Sequence, residues 1–326
     1  MPKILLTSHI DELIVRELSK LGNVRISPDV EEEVLAEEVK DADVLVARVP
    51  ALITEKIIEN GKKLKGIVRW GVGYDNIDVE AARKRGIVVA YTPGTNTVSV
   101  AEYVICTMLA LAKKLHTTQE EFKKGNWDYR LRYDGTEIYG KSAGILGLGR
   151  IGAEVARLCR CFNMQVLYYD VLRRRQIEKE LGVRYEPLTD DDRRQGLKVP
   201  GKILMVDYLI IQVPLTTETK GIIGRREIEK MKKGIVIINA ARGGVLDEKA
   251  LYEGLINGKI SGAALDVFEE EPPESELYRE MSKMDNVILT PHIAGITVES
   301  RKRMSLMVVE EVKRILSGER PLNPVF

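Results

Sequence analysis

The stretch A-G-I-L-G-L-G-R-I-G at residues 143–152 decides the fold predicted for this chain. Its first four residues predict a short strand, and the residues after the last glycine predict a helix over 153–162. A second strand is predicted over 165–169, and Asp170 follows it, about twenty positions after the glycines. The three glycines alone would be weak evidence. In this context they are typical of the strand, turn and helix that bind a dinucleotide.

Each glycine of the turn has a physical reason. Gly147 permits the tight turn, Gly149 lets the backbone approach a pyrophosphate, and Gly152 allows close packing of the helix on the strand. The pyrophosphate would meet the free N–H groups at the positive end of the helix. Asp170 would accept hydrogen bonds from ribose hydroxyls and repel a 2′-phosphate, which favours NAD over NADP. The cations of Arg173–Arg175 are either an exposed basic turn or groups that soften this preference.

Apolar runs alternate with helical patterns on both sides of this motif, which predicts βαβ units and parallel sheets. In the first hundred residues the predicted strands are 4–7, 24–26, 44–48, 64–70 and 87–91. A second alternation begins at Ser142, and a last helix over 297–317 is expected to return to the first domain. We predict an α/β protein in which a Rossmann NAD-binding domain, 99–295, is inserted into a flavodoxin-like parallel α/β substrate (lid) domain, 1–98 plus 296–326. The polar run 189–202 is predicted to be an exposed loop.

Composition excludes several classes of function. The net charge of +1 and the pI of about 7.6 favour neither nucleic acid nor an anionic membrane as a partner. The longest apolar stretch, 98–111, contains Glu102 and is short for a membrane span. The three cysteines have neither disulfide nor metal-ligand spacing, so we expect no metal and a reducing compartment. The first three residues lead directly into a strand without a signal peptide, so a cytoplasmic location is expected.

Three polar residues stand where predicted strands of the second domain break into loops. They are Arg242 in N-A-A-R-G-G (239–244), Glu271 in D-V-F-E-E-E-P-P (266–273) and His292 in T-P-H-I-A-G (290–295). The ends of parallel strands converge on one crevice, so we expect these side chains to meet. The arginine would hold a carboxylate, the histidine would carry a proton, and the glutamate would stabilise the protonated imidazole. These are the groups that hydride transfer to a 2-keto acid requires. Asp266 is expected to contact the nicotinamide side or Arg242.

These runs, together with G-V-G-Y-D-N-I-D (71–78) and S-V-A-E-Y (99–103), make the chain resemble the D-isomer-specific 2-hydroxyacid dehydrogenase family over essentially its whole length. The resemblance implies that Arg242, Glu271 and His292 are the catalytic residues. The choice of Glu271 among the acidic residues 269–271 rests partly on it. The implied cofactor contacts are Arg150, Ile151, Asp170, Val213, Ala240, Arg242, Asp266 and the loop from His292 to Gly295.

The family resemblance also suggests how a substrate is held. It implies that backbone N–H groups of Val72 and Gly73 bind the substrate carboxylate, with Arg242 facing them, and that the protein is a homodimer built on the nucleotide domains. Arg48 and Arg69 end two strands of the first domain and would suit a second anionic group such as a phosphate. Phosphoglycerate dehydrogenases carry similar arginines at the matching places.

The predicted reaction is therefore NAD-dependent oxidation of 3-phosphoglycerate to 3-phosphohydroxypyruvate, a step of serine biosynthesis. Three alternatives stay open. The protein could instead be a glyoxylate/hydroxypyruvate reductase of the same mechanism, or an NAD-sensing binding protein like the transcriptional corepressors that resemble this family. Arg48 and Arg69 also permit interpretation as ordinary surface arginines. Trp70 replaces the small residue usual beside the 71–73 loop, so a bulky ring is expected near the substrate carboxylate.

Overall fold

The computed structural model describes all 326 residues, which form two compact units. The first unit comprises Met1–Asn96 and Ile296–Phe326, and the second comprises Thr97–Gly295. The chain passes from the first unit to the second between Asn96 and Thr97, two residues before the expected boundary, because a long helix begins at Thr97.

The first unit contains one five-stranded parallel sheet in the order β2-β1-β3-β4-β5. Its elements, numbered in chain order, are β1 (Lys3–Leu6), α1 (Glu12–Ser19), β2 (Asn23–Ile26), α2 (Glu32–Glu38), β3 (Val44–Ala47), α3 (Glu55–Asn60), β4 (Gly66–Arg69), α4 (Val79–Lys84), β5 (Val88–Ala90) and α14 (Val298–Leu316). This strand order is that of the flavodoxin-like fold, which confirms the predicted fold class for this unit.

Helices cover both faces of this sheet because its strands are apolar on both sides. Side chains alternate along each strand, so Val46 and Val68 belong to one core while Leu45 and Ile67 belong to the other. The first of these cores includes the last helix, α14, whose Met304, Val308, Val312 and Ile315 recur at helical spacing and are buried. Burial of each such side chain stabilises the fold by about 1.5–3 kcal/mol. This apolar stripe explains why α14 packs in the first unit.

The second unit contains a seven-stranded parallel sheet in the order β12-β11-β10-β9-β6-β7-β8. Its strands are β6 (Ser142–Leu146), β7 (Gln165–Tyr169), β8 (Arg184–Tyr185), β9 (Tyr208–Ile211), β10 (Ile235–Asn239), β11 (Ile260–Leu265) and β12 (Val287–Leu289). Its helices are α5 (Thr97–Ala112), α6 (Leu115–Lys123), α7 (Arg150–Cys161), α8 (Arg175–Leu181), α9 (Asp190–Arg194), α10 (Gly201–Leu204), α11 (Arg225–Lys230), α12 (Glu248–Ile256) and α13 (Glu276–Ser282). The strand order reverses between β6 and β9, as in a Rossmann sheet, and this switch point is where such sheets bind ligands.

The segment 189–202 differs from its prediction. It is not simply an exposed loop, because α9 and the start of α10 lie within it. The hydroxyl of Thr189 caps α9, and the carboxylate of Asp192 accepts the N–H of Gly201 at 2.9 Å. Leu197 and Val199 are buried in the core of the second unit. Leu197 and Val199 stand among charged residues in the sequence, so the high average polarity of the segment led to the wrong prediction.

None of the fourteen helices combines the length and the apolar character that crossing a bilayer requires.

Candidate active site

The glycine turn between β6 and α7 is closed by direct backbone packing. Gly147 has a φ of +91°, and a Cβ atom added there would lie 2.5 Å from the carbonyl oxygen of Gln212. A Cβ atom on Gly152 would lie 2.1 Å from the carbonyl oxygen of Gly147. Any side chain at either position would therefore displace backbone, which explains why the turn requires glycine.

The surroundings of Gly149 fit a dinucleotide pyrophosphate. Nothing lies within 4 Å of the position that a Cβ atom of Gly149 would occupy, so the backbone is open to a ligand there. Gly149 is also the N-cap of the twelve-residue helix α7, whose first N–H groups lack helical acceptors. The side-chain Nε2 of Gln212, beside the turn, is buried without a hydrogen-bond partner. Sequence reasoning missed Gln212, and its only signal was its place directly after β9, beside Val213.

The carboxylate of Asp170 lies at the end of β7 and is oriented by two backbone groups. It accepts the N–H of Leu148 at 2.8 Å and that of Leu172 at 3.0 Å. A carboxylate has about four lone-pair positions, so Asp170 retains capacity to accept ribose hydroxyls.

The other predicted cofactor residues lie at the same carboxyl edge of the sheet or in the loops that leave it. Arg150 and Ile151 open α7, Val213 follows β9, Ala240 directly follows β10, Asp266 directly follows β11, and His292 and Gly295 lie in the loop after β12. The structure thus brings the predicted cofactor set to the carboxyl edge of one sheet, from the switch point outward to β12.

The imidazole of His292 and the carboxylate of Glu271 form a hydrogen-bonded pair. Nδ1 of His292 lies 2.9 Å from Oε2 of Glu271, and the other carboxylate oxygen accepts the N–H of Phe268 at 3.1 Å. Side-chain exposures of 48% and 38% leave both groups accessible to a substrate. The expected contact between these two residues is therefore present.

Electrostatics shows which partner donates the proton in this pair. Burial alone would raise the pKa of Glu271, but the hydrogen bond and charge of His292 hold it below its ordinary value. The charge of Arg242 lowers the same pKa further, which places its guanidinium in the electrostatic neighbourhood of Glu271. An ionised carboxylate only accepts hydrogen bonds, so Nδ1 of His292 is the donor and Nε2 is left for a substrate.

Arg242 lies in a loop that Asn239 shapes. The amide of Asn239 donates to the carbonyl of Arg242 at 3.0 Å, and its oxygen accepts the N–H of Ala241 at 3.1 Å. Asn239 is completely buried at the end of β10, so its amide fixes the loop to the sheet. The guanidinium itself donates to the carbonyl of Ala241 at 2.7 Å.

Asp266 positions the loop that carries His292. Its buried carboxylate accepts the N–H groups of Ile293 and Ala294, both at 2.8 Å, and the hydroxyl of Thr290 at 2.6 Å. Burial raises the pKa of Asp266, although these three bonds act in the opposite direction. The backbone of His292 has a φ of +53°, and its N–H donates to the carbonyl of Asp266 at 2.9 Å. This positioning role is one that sequence reasoning did not assign to Asp266.

Tyr103 and Thr290 extend this network and were also missed. Because the hydroxyl of Thr290 donates to Asp266, the phenol of Tyr103 is the donor in its 2.6 Å bond to Thr290. Burial raises the pKa of Tyr103 to about 12, so the phenol keeps its proton. The run S-V-A-E-Y at 99–103 contained the only signal for Tyr103, because an apolar residue would serve the helical pattern equally well at that position.

The lowered pKa of Glu271 predicts a pH-dependent contribution to stability. In Glu271→Gln, the unfolding free energy should fall below that of the wild type above pH 4.5, where the unfolded carboxyl is ionised. The difference should shrink as the pH falls through the lower pKa of the folded state, because the carboxyl group of Glu271 is then protonated in both the folded and the unfolded protein. Urea unfolding between pH 3 and pH 7 measures this difference. A difference that grows towards low pH would contradict the assigned direction.

The two arginines expected to bind a phosphate are not brought together. In the register of β3 and β4, Ala47 pairs with Arg69, so Arg48 lies level with Trp70 and on the opposite face from Arg69. The guanidinium of Arg48 stacks on the Trp70 ring at 5.3 Å and donates to the carbonyl of His9 at 2.8 Å. Arg69 is buried and donates to the side-chain oxygen of Asn76 at 3.0 Å. Two strand-end arginines in sequence looked like a pair, but strand alternation separates them.

The expectation for Trp70 was wrong for a related reason. Its ring is only 5% exposed and packs in the core beneath α14, where Nε1 donates to the hydroxyl of Ser305 at 3.1 Å. The ring therefore occupies the core rather than the surface of the 71–73 loop.

The backbone of that loop does fit an anion. Gly71 donates to the hydroxyl of Thr92 at 3.0 Å, which anchors the loop to the end of β5. The next two N–H groups, of Val72 and Gly73, make no hydrogen bond to another group of the protein. Unpaired backbone donors in a partly exposed loop are suited to a carboxylate.

Comparisons with known proteins show the family to which the chain is similar. The NAD-binding domain of the D-isomer-specific 2-hydroxyacid dehydrogenases matches residues 105–294. A D-3-phosphoglycerate dehydrogenase of Methanocaldococcus jannaschii is 43% identical over 100% of the chain, which spans 59% of that relative's length. A glyoxylate reductase of Korarchaeum cryptofilum is 38% identical, over 99% of the chain and 96% of that protein. The crystal structure of a D-lactate dehydrogenase of Aquifex aeolicus, complexed with NAD and lactic acid, has a TM-score of 0.87 at 32% identity, covering 99% of this chain and 98% of that one.

Proposed function

We propose that this chain, which belongs to the D-isomer-specific 2-hydroxyacid dehydrogenase family, transfers a hydride between a nicotinamide dinucleotide and a 2-hydroxy or 2-keto acid. The observation that carries the proposal is the 2.9 Å pair of His292 and Glu271, held at the strand ends that also carry Arg242 and the glycine turn. This set combines a proton carrier, its orienting carboxylate and a fixed cation beside a dinucleotide site.

The protein's residues handle the proton and the charge, while a bound nicotinamide supplies or accepts the hydride. In the oxidation, Nε2 of His292 takes the proton of the substrate hydroxyl, and Glu271 stabilises the imidazolium through Nδ1. In the reduction, the same nitrogen returns the proton to the oxygen that was the carbonyl. Arg242 would hold the substrate carboxylate and polarise that carbonyl through its fork of donors. The free N–H groups of Val72 and Gly73 are further candidate donors to a substrate carboxylate.

Asp170 supports NAD rather than NADP as the cofactor. Its carboxylate is held at the end of β7 by two backbone N–H groups, the position at which the ribose hydroxyls of a dinucleotide bind in Rossmann folds. A 2′-phosphate there would be repelled by the fixed negative charge.

We propose 3-phosphoglycerate as the substrate, oxidised to 3-phosphohydroxypyruvate. The 43% identical relative is a D-3-phosphoglycerate dehydrogenase, and Arg48 is a partly exposed cation that would suit a phosphate. Glyoxylate or hydroxypyruvate reduction is the second candidate. The 38% identical glyoxylate reductase favours it, as does the separation of Arg48 and Arg69 onto opposite faces.

Reduction rates of phosphohydroxypyruvate, hydroxypyruvate and glyoxylate, measured side by side with NADH and NADPH, test this proposal. We expect phosphohydroxypyruvate to give the highest kcat/KM, and Arg48→Gln to lower that value while leaving the value for glyoxylate within about twofold, since one charged hydrogen bond is lost only with the phosphate. If glyoxylate is reduced far better, the reaction class stands and the phosphate assignment fails. If NADH binds and no 2-keto acid is turned over, the protein is an NAD-sensing binding protein, comparable to the corepressors.

We also propose that the protein forms a homodimer through its second unit. Large apolar side chains are unusually exposed at the end of α6 and in the segment after it, with Phe122 and Trp127 each 64% exposed and Leu131 78% exposed. Phe122 and Trp127 line one surface pocket, and exposed apolar surface of this kind is typical of a protein–protein interface. Light scattering should give twice the mass of one chain, and Trp127→Asp should shift the protein towards that of a monomer. A wild-type protein with the mass of a single chain would contradict the proposal.

A further inference from the structure

The turn that follows Asp170 contains an arginine that is already paired with a carboxylate. Nε and Nη2 of Arg173 donate to the two carboxylate oxygens of Glu178, both at 2.9 Å. The planar group also lies over the ring of Tyr185, 5.4 Å from its centroid. A bidentate pair stacked on an aromatic ring fixes the guanidinium in one orientation.

Glu178 is itself held in place by a buried tyrosine. The phenol of Tyr168, which is fully buried in β7, donates to Oε1 of Glu178 at 2.7 Å. The oxygen of the same phenol accepts the N–H of Arg174 at 2.8 Å, so the turn, β7 and α8 share one network. Hydrogen bonds from Arg173 and Tyr168 lower the pKa of Glu178 to about 2, so the carboxylate stays ionised at any pH at which the protein works.

Position makes this pair relevant to the cofactor. Arg173 stands three residues after Asp170, in the turn at the end of the second strand of the dinucleotide fold. In Rossmann folds an arginine in this region accommodates the 2′-phosphate of NADP, whereas an acidic residue at the strand end selects NAD. The chain therefore carries both kinds of residue, and the first of its three arginines after Asp170 is paired with Glu178.

We propose that Glu178 is a specificity-determining residue, which withholds Arg173 from a 2′-phosphate and so adds to the discrimination by Asp170 against NADP. The inference rests on the proposed dinucleotide site, and it assigns Glu178 no part in hydride transfer. Glu178 acts through Arg173, because its carboxylate occupies Nε and Nη2, one bidentate edge of the guanidinium, and holds the group over Tyr185.

The test is equilibrium binding of NADH and NADPH, followed by the fluorescence of the bound reduced nicotinamide. Glu178→Gln keeps a hydrogen-bond acceptor for Tyr168 but removes the charge that holds Arg173. We expect the Kd for NADPH to fall about tenfold, the effect of one new charge-assisted hydrogen bond, and that for NADH to change less than twofold. Adenosine 2′,5′-bisphosphate, as a competitor of NADH, should gain affinity in parallel because it carries the same 2′-phosphate.

Two further variants make the assignment specific. The double variant Glu178→Gln, Arg173→Ala should return the Kd for NADPH to the wild-type value, since the released cation is gone. The control is Glu253→Gln, which breaks the ion pair between Glu253 of α12 and Arg225 of α11 and changes the net charge by the same amount. It should leave both Kd values unchanged. A gain that survives in the double variant, or appears equally in Glu253→Gln, would overturn the proposal. So would unchanged NADPH binding in a Glu178→Gln protein that still binds NADH normally.

The outcome is separate from that of the proposed reaction. A chain that binds NADH but turns over no 2-keto acid would remove the proposed function, and the binding comparison would still decide the role of Glu178.

Discussion

Replacement of His292 by alanine should lower kcat for 2-keto acid reduction by about 10²–10⁴, the usual contribution of a positioned general acid or base. The loss is expected because Nε2 of His292 is the ring nitrogen left for the substrate, while Nδ1 is bound to Glu271 at 2.9 Å. The loop should keep its shape in the variant. The loop is held by Asp266, whose carboxylate binds the backbone N–H groups of Ile293 and Ala294 and does not depend on the imidazole of His292.

Steady-state kinetics with NADH, paired with NADH binding measured by fluorescence, checks this expectation. The matched control is His116→Ala, which removes another exposed histidine of the second unit, on α6. The control should keep kcat within about twofold, as expected for a surface substitution. Near-normal turnover of the His292 variant would rule out its role as the proton carrier. A loss of NADH binding equal to the loss of turnover would assign His292 to the cofactor instead.

Replacement of Arg242 by lysine should lower kcat/KM for the 2-keto acid by about 10²-fold, or about 2.7 kcal/mol of transition-state stabilisation. The substitution keeps the positive charge but loses the planar fork that binds a carboxylate through two parallel hydrogen bonds. The loop itself should persist, because Asn239 holds the backbone carbonyl of Arg242 rather than its side chain.

The control for this substitution is Arg225→Lys, in an exposed ion pair with Glu253 on the same unit. Exposed ion pairs contribute little, so the kinetics and stability of that variant should stay close to the wild type. A comparison of kcat/KM for the keto acid with the Kd for NADH separates the two roles expected of Arg242. Equal losses in both would make it a cofactor residue, and an unchanged kcat/KM would exclude the anion clamp.

Much of the candidate site was predictable because local rules produce it. The glycine turn could be predicted from 143–152 because its spacing reflects steric limits on the backbone. A Cβ atom on Gly152, for example, would lie only 2.1 Å from the carbonyl oxygen of Gly147. The meeting of Glu271 and His292 was predictable because both follow strands of one parallel sheet. Short segments and the convergence of strand ends predict that these loops meet, while the choice of Glu271 among residues 269–271 also needed the family resemblance.

The supporting residues were not predictable in this way. Asp266 was assigned to a ligand, but its carboxylate shapes the loop of His292 through bonds spanning up to 28 residues. Tyr103 joins the same network across 187 residues. No periodicity or motif spacing encodes such a pairing, since it depends on which helix packs over which strand end.

The sequence by itself determined the two α/β folds, the dinucleotide turn and the identity of the catalytic candidates. The reason is that strand periodicity, glycine sterics and the parallel arrangement of strand ends are local or nearly local properties. The tertiary structure alone decided what the arginines do. Register and side-chain alternation place Arg48 and Arg69 on opposite faces of their sheet. The position of α8 beside Tyr168 of β7 places Glu178 where it can bind Arg173. A guanidinium reaches far and accepts any nearby anion or ring, so its partner is fixed only when the elements around it are packed.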